Sequence, residues 1–204
     1  ADADVIACEG TRVTAKLLAR HGIGTPTTRF DDHNAAQARP RLLARVGDGQ
    51  SVALVSDAGT PLISDPGYSL VRVIVDAGHS VVPIPGPSSV MAALSVAGLP
   101  TDRFLFAGFL PPKKAARIKE LTGLASLQAT LVFLESPRRL AAALADMAEV
   151  FGSRSVTVGR ELTKRFEEVR RGTLADLAAH YAASGAPKGE VVVVVGGAGD
   201  TPAP

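Results

Sequence analysis

With 204 residues, the chain is long enough to bury one large core or two small ones, and we expect two domains. Its 46% hydrophobic and 21% charged residues are typical of a folded globular protein, and the net charge of +2 neither requires nor excludes a nucleic-acid partner. No apolar stretch reaches the roughly 20 residues of a membrane span, and the first ten residues lack a signal-peptide pattern, so we expect a soluble, cytoplasmic protein without membrane contact.

Short apolar runs alternate with helical patterns in the first half of the chain. Strands are predicted at 5–7, 51–56 and 80–84, and helices at 11–20, 34–46, 68–77 and 88–97. Gly22, Gly47, Gly78 and Gly98 are expected to end these helices. Regular alternation of strands and helices predicts a Rossmann-like parallel sheet with right-handed crossovers.

The second half has a different pattern. Strands are predicted at 104–110, 130–135, 155–159 and in EVVVVVGG, and helices at 113–121, 137–150 and 173–183. FEEVRRG alternates weakly before the last helix, which favours a mixed sheet. PIPGPSS at 83–89 has three prolines in five residues and is typical of a hinge, so we expect domains at 1–84 and 85–204. The tail GGAGDTPAP has a disorder-like composition.

Cysteine and histidine usage argues against a metal site or a disulfide. Cys8 is the only cysteine and follows apolar residues, so we expect a buried thiol in a reducing compartment. The four histidines stand far apart, with no second ligand at zinc-binding spacing. No metal is predicted.

Two loops rich in glycine and proline, DAGTPLISDPG and PIPGPSS, each follow a predicted strand. Glycine lets backbone amides approach a ligand and proline stiffens a loop, so together the two loops could form a preformed pocket, although a tight connection is the commoner role of either alone. The P-loop, the GxSxG elbow and the GxGxxG fingerprint are all absent from their usual contexts. Asp57 and Asp65 could act as carboxylates, but turn capping is the commoner role of aspartate there.

Three stretches concentrate basic residues: PPKKAARIKE, ESPRR and RELTKRFEEVRR. Each alone is most often a solvated face, whereas together in one cleft they would suit a phosphate backbone. The candidate RNA-binding residues are Lys113, Lys114, Arg117, Arg138, Arg139, Lys164 and Arg165.

Four long motifs carry a resemblance to a known family. VALVSDAGTPLISDPGYSLV, VVPIPGPSSVMAALSVAGLPTDRFLFAGFLP, LVFLESPRRL and GRELTKRFEEV closely resemble, in this order, the bacterial small-subunit (16S) ribosomal RNA cytidine 2′-O-methyltransferases of the tetrapyrrole methylase superfamily. ACEGTR near the start is similar to the EDTR motif of that family. The resemblance covers nearly the whole chain.

The resemblance implies a two-domain α/β homodimer, with a Rossmann-like parallel-sheet domain followed by a mixed-sheet α/β domain. It implies S-adenosylmethionine as the methyl donor, bound in the cleft between domains, and a cytidine of 16S rRNA within the small ribosomal subunit as the target. Motif matching assigns the donor to Ala58, Gly59, Thr60, Ile63, Ser88, Ser89, Leu134, Glu135, Thr163, Gly189 and Glu190. The ionisable residues at motif positions, which are unranked candidates for a catalytic base, are Glu9, Glu135, Glu161 and Lys188.

Two departures from the family pattern bear on activity. The family's first strand with its proline- and glycine-containing loop, and a small C-terminal helical region found in many relatives, have no counterpart in this sequence, so we expect either a trimmed chain or weakened donor binding. The EDTR motif reads Glu9, Gly10, Thr11 and Arg12 here, so glycine replaces a carboxylate, and we expect impairment if that carboxylate orients substrate or caps the helix.

Two rival functions stay open at this point. One is methylation of a small, tetrapyrrole-like molecule, which an apolar rather than basic rim would indicate. The other is a non-catalytic RNA- or nucleotide-binding module that keeps the fold without turnover.

Overall fold

The computed structural model describes residues 2–199, so the last five residues of the predicted disordered tail lie outside the described part. The chain divides into two compact units, Ala1–Ser88 and Ser89–Pro204. Each unit has its own sheet and its own buried core.

The first unit is a three-stranded parallel sheet covered by helices. Its strands have the order β2-β1-β3, and β1 pairs in parallel with both neighbours. The core contains Val5, Ala7, Phe30, Leu42, Leu70 and Ile74, and the Cys8 thiol is fully buried beside it. The elements are β1 (Val5–Cys8), α1 (Thr11–Arg20), β2 (Thr27–Arg29), α2 (Ala35–Gly47), β3 (Val52–Val55) and α3 (Tyr68–Asp76).

Three details of the first unit differ from the sequence-based expectations. The strand predicted at 80–84 is wrong: no described strand pairs with it, Val82 and Ile84 are exposed, and prolines at 83 and 85 remove backbone donors. Strand β2 was missed because its three residues, TTR, are too few for a pattern. Helix α2 continues through Gly47, and the left-handed turn falls at Gly49 instead.

The second unit is a five-stranded mixed sheet with the order β4-β5-β8-β6-β7, in which only β4 and β5 are parallel. Helix α4 packs on one face, and α5, α6 and α7 cover the other. The elements are α4 (Ser89–Ala97), β4 (Phe104–Phe109), α5 (Lys114–Leu124), β5 (Thr130–Glu135), α6 (Leu140–Phe151), β6 (Ser155–Arg160), β7 (Glu168–Thr173), α7 (Leu174–Ser184) and β8 (Val191–Val195).

The valine run Val191–Val195 is the centre of this sheet. All five residues are buried, because β8 lies between β5 and β6 and has helices on both faces. A continuous apolar run is the expected pattern for a strand buried on both sides. The predicted α/β class, with a parallel sheet followed by a mixed sheet, is therefore confirmed. No helix between residues 2 and 199 is both long and apolar enough to cross a membrane.

Candidate functional site

The loop of residues 56–67, which we call the β3 loop, begins at the carboxyl end of β3. The Ser56 hydroxyl accepts the N–H of Ala58 at 3.1 Å and donates to the carboxylate of Asp65, so it joins the two sides of the loop. The Thr60 hydroxyl donates to the carbonyl of Pro87 at 2.9 Å. These bonds fix the loop against the proline segment that precedes Ser88.

The backbone of the β3 loop adopts conformations that few side chains tolerate. Leu62 and Ser64 have φ angles of 72° and 58°, in the left-handed region that usually requires glycine. Gly67 has φ of 142°, and a Cβ there would overlap the side chains of Leu54 and Leu62. Such conformations persist only where the surrounding contacts enforce them, and they concentrate at ligand sites.

The donor-site residues predicted in the first unit therefore lie together. Ala58, Gly59 and Ile63 are exposed and Thr60 is half-buried. In the described part of the chain, no hydrogen bond occupies the N–H of Gly59 or Thr60. The loop thus offers backbone donors to a ligand at the carboxyl end of a parallel sheet, where open α/β folds bind their ligands.

Carboxylates surround Glu9 at this end of the sheet. The residues after β1, β2 and β3 share one edge because the strands are parallel. Partial desolvation, followed by the negative charges of Asp65, Asp57, Asp31 and Asp32, raises the pKa of Glu9 above its usual value. A carboxylate in this setting is a stronger base than an ordinary glutamate. Across residues 2–199, no group of three His, Cys, Asp or Glu side chains is placed to hold a metal ion.

The carboxylate expected at position 10 is supplied by another residue. Asp57 accepts the Gly10 N–H at 3.3 Å, directly before α1. A Cβ at Gly10 would overlap this carboxylate, so glycine makes room for Asp57. The negative charge at the start of α1 is therefore retained, where the helix dipole favours it. Sequence inspection missed this because the two residues are 47 positions apart.

In the second unit, four predicted site residues gather at one edge of the sheet. Glu135 ends β5 and pairs with Val191, which also pairs with Arg160 at the end of β6. This register brings Leu134, Glu135, Glu161 and Glu190 to the same edge. Oε1 of the buried Glu135 carboxylate accepts from Arg139 at 2.8 Å, while Oε2 has no partner among the described residues.

Glu161, Lys164 and Glu190 form a closed network. The Lys164 ammonium contacts Glu161 at 3.1 Å and Glu190 at 2.9 Å, and the Glu190 N–H donates to Glu161 at 2.9 Å. That N–H, and then Lys164, hold the pKa of Glu161 below its usual value, while Glu190 chiefly raises the pKa of Lys164. Glu161 is thus a weaker base than Glu9.

The backbone beside this network is also unusual. Glu161 and Thr163 have φ angles of 48° and 65°, and Gly189 has φ of 97° with no room for a Cβ beside Glu161. The Thr163 N–H donates to Glu167 at 2.6 Å. For Lys188, the described contact is its carbonyl, which accepts from Arg160 at 2.7 Å.

The predicted RNA-binding residues, all in the second unit, fall into two groups. Lys113 and Arg138 are exposed with no side-chain partner among residues 2–199, and Arg165 lies over the exposed ring of Phe166 at 5.5 Å. The others are paired with carboxylates: Lys114 with Asp146 and Glu149, Arg117 with Asp146, Arg139 with Glu135, and Lys164 with Glu161 and Glu190.

Arg117 requires a correction. It is only 5% exposed, and its guanidinium donates to Asp146 at 2.6 Å and to the carbonyls of Pro111 and Pro112. Because its donors are used internally, a direct contact with phosphate is not supported. Its position in a basic stretch gave no sign of this burial.

Comparison with known proteins gives two kinds of similarity. The family model of the Tetrapyrrole (Corrin/Porphyrin) Methylases matches residues 1–178. Proteins called ribosomal RNA small subunit methyltransferase I are 58% identical in Mesorhizobium japonicum, over 96% of this chain and 67% of that protein, and 51% identical in Xylella fastidiosa, over 96% and 72%. The Escherichia coli O157:H7 protein of the same name is 46% identical, over 95% and 68%.

Solved structures share the fold at low identity. A cobalt precorrin-4 methyltransferase superposes with a TM-score of 0.67 at 19% identity, over 95% of this chain and 84% of that one. The uroporphyrin-III-C-methyltransferase from Thermus thermophilus gives 0.63 at 23% identity, over 95% and 83%. At these identities the likeness concerns the fold alone.

Proposed function

The chain belongs to the tetrapyrrole methylase family, and from that premise we propose that it transfers a methyl group from S-adenosylmethionine to a cytidine 2′-hydroxyl in 16S ribosomal RNA. The observation that carries this proposal is the 46–58% identity to small-subunit rRNA methyltransferases over 95–96% of the chain. The structures named for tetrapyrrole substrates share only 19–23%. The 2′-oxygen, the cytidine, the assembled small subunit as substrate and the homodimer rest on the motif resemblance, and the cytoplasmic location rests on the sequence composition.

The β3 loop supports donor binding. Its open N–H groups at Gly59 and Thr60 suit the polar atoms of an adenosyl ligand, and the nearby carboxylates suit the positive charges of the donor. The loop is already held in shape by Ser56 and Asp65, so binding requires little further ordering. When bound, S-adenosylmethionine supplies an electrophilic methyl group. In the second unit, the donor assignments of Ser89, Leu134, Glu135, Thr163, Gly189 and Glu190 stay predictions.

The chain's own residues must orient the ribose hydroxyl and accept its proton. Among the four candidate bases, Glu9 is supported by its raised pKa and its exposure, since a base with a pKa nearer neutrality takes up a proton more readily. The lowered pKa of Glu161 and the Arg139 contact of Glu135 make those residues weaker candidates. We therefore assign proton removal to Glu9 rather than to Lys188, whose described contact is its carbonyl. Glu9→Gln is expected to lower kcat, measured as labelled methyl transfer, far more than it weakens binding of the donor.

The first experiment is calorimetric titration with S-adenosylhomocysteine, which occupies the donor site without reacting. We expect one site per chain, and affinity about tenfold or more weaker in Ser56→Ala, because the hydroxyl pairs with a charged carboxylate. Ser51→Ala is a matched control: Ser51 lies at the other end of β3 and donates to Asp4 at 2.9 Å. If the two variants bind S-adenosylhomocysteine with equal affinity, the β3 loop is not part of the donor site.

The second experiment measures labelled methyl transfer to unmodified small subunits, with a uroporphyrin-type tetrapyrrole as the competing substrate. Transfer to the 2′-oxygen of one cytidine is expected, with none to the tetrapyrrole. Transfer to the tetrapyrrole alone would replace the RNA function by the small-molecule one.

A further inference from the structure

A cavity of about 350 Å³ lies in the first unit between the end of β2 and helix α2. Three arginines line it: Arg29 is the last residue of β2, and Arg41 and Arg45 lie one turn apart on α2. The amides of Asn34 and Gln37 line the same cavity. None of these residues belongs to the basic stretches that the sequence marks in the second unit.

The positive charge of this cavity is only partly compensated, since the Asp4 carboxylate lies within electrostatic range of Arg45 but forms no ion pair with it. Helix α2 contains three arginines and no acidic residue. In the described part of the chain, the Arg41 side chain has no hydrogen bond or ion pair, and the hydrogen bond of Arg45 is to the neutral Gln50 at 3.3 Å. Arg29 alone contacts a carboxylate, that of Asp31 at 2.5 Å.

The Asp31 carboxylate is already engaged by backbone donors of its own turn. It accepts the N–H groups of His33 and Asn34, each at 2.9 Å, and so fixes the turn that leads into α2. The Asn34 side chain accepts the Asp31 N–H at 2.9 Å in return. Because this carboxylate is 94% buried within the turn, it does not neutralise Arg41 or Arg45.

From this geometry we propose that the α2 cavity binds phosphate groups of the RNA substrate. Guanidinium groups match phosphate oxygens as paired donors, and the amide of Gln37 can add a neutral hydrogen bond, whereas the amide of Asn34 already donates to the carbonyl of Arg29 and accepts the N–H of Asp31. The arginines are exposed, which suits the continuous backbone of a large polyanion better than an enclosed small ligand. The inference rests on the proposed function for the identity of that polyanion.

The test compares two exposed arginine sites in the same unit. Arg41→Gln with Arg45→Gln removes two charges that form no ion pair among residues 2–199, whereas Arg72→Gln removes an exposed arginine that is paired with Asp76 at 2.9 Å on α3. Affinity for unmodified small subunits is measured over a range of KCl concentrations. Log affinity falls as log salt rises, and we expect this dependence to become less steep in the double variant, by roughly one to two in the magnitude of the slope. The control should leave the slope unchanged.

Two further arms separate the possible outcomes. Arg41→Lys with Arg45→Lys should restore most of the slope, because it restores charge, and S-adenosylhomocysteine affinity should be equal in all variants. Inorganic phosphate, titrated alone, should bind far more weakly than the small subunit. If the double variant loses affinity for phosphate but binds the small subunit as well as the wild-type protein does, the RNA assignment is overturned.

An unchanged salt slope in a double variant, when the wild-type protein binds both subunit and S-adenosylhomocysteine, would overturn the inference and leave the proposed function standing. Absence of subunit binding by the wild-type protein, despite donor binding, would instead overturn the RNA function and the inference together.

Discussion

Helices α2 and α5 are both rich in basic residues, but their arginines have opposite environments. On α5, Arg117 is buried and its guanidinium is used by Asp146 and two proline carbonyls. On α2, Arg41 is exposed and has no partner in the described part of the chain. The difference comes from the neighbouring elements: α6 supplies Asp146 and Glu149 to α5, whereas no carboxylate among residues 2–199 forms an ion pair with an arginine of α2.

The number of basic residues in a stretch therefore does not measure the charge available to a ligand. A paired guanidinium has its charge and donors used within the fold, so its removal leaves the partner carboxylate uncompensated, whereas an unpaired one attracts phosphate at little cost. Substitutions on α5 should therefore change stability, and substitutions on α2 should change RNA affinity.

The largest expected effect is that of Arg117→Met. It removes the buried partner of the Asp146 carboxylate and leaves it only the exposed Lys114 ammonium at 3.5 Å, which should lower the free energy of unfolding of the second unit by about 3 kcal/mol. Denaturant unfolding followed by circular dichroism measures this loss. The control is Lys119→Met at an exposed position of the same helix, with an expected change within about 0.5 kcal/mol. A loss of stability no greater than that of the control would contradict a structural role for Arg117.

Replacing both partners should cost less. In Arg117→Met with Asp146→Leu no orphan charge remains buried, and apolar side chains can fill the space. We expect most of the stability lost in Arg117→Met to return, and the double-mutant cycle to give a large coupling between the two positions. Additive losses would mean that the two side chains act independently, against the 2.6 Å contact.

Lys114→Gln should have a smaller effect that depends on pH. The hydrogen bond with Glu149, and then its charge and that of Asp146, raise the pKa of Lys114 above 10.5. Stability from this ammonium is therefore fully present below pH 10.5 and is lost as the pH rises through the higher folded-state pKa. Thermal unfolding of both proteins is measured from pH 7 upward. The difference in unfolding temperature should be small and constant up to about pH 10.5 and should close at higher pH, and Lys113→Gln should show no difference.

The smallest effect on stability is expected from Arg41→Gln with Arg45→Gln. Because these side chains are exposed and form no ion pair among residues 2–199, the free energy of unfolding should change by no more than about 0.5 kcal/mol. A loss comparable to that of Arg117→Met would show that α2 uses its arginines structurally, and the contrast between the two helices would disappear.

Most of the fold was predictable because its signals are local. Apolar periodicity and terminal glycines located α1, α3 and α4, and the valine run located β8. The strand predicted at 80–84 failed because a strand also needs a partner with free backbone groups, which a valine-rich sequence cannot reveal. Strand β2 was missed for the opposite reason. Its sequence is short and polar and has no strand pattern, and its pairing with β1 nevertheless makes it a strand.

The candidate site was predictable where one segment carries it and not where distant segments meet. The β3 loop was visible as a cluster of glycines, prolines and aspartates, and the Gly10 substitution was visible as a departure. The carboxylate that occupies its place, Asp57, could not be foreseen, because it reaches position 10 only when β1 and β3 pair. Pairing of Arg117 with Asp146 likewise joins positions 29 residues apart.

The burial of Cys8 has a practical consequence for labelling. It is the only cysteine of the sequence, and its thiol is inaccessible to solvent in the folded first unit. A thiol introduced at an exposed position, such as Lys119→Cys, would therefore be the one site open to a maleimide dye under native conditions. Fluorophores can thus be attached singly without first removing a natural cysteine, and delayed modification of Cys8 would report the opening of the first sheet.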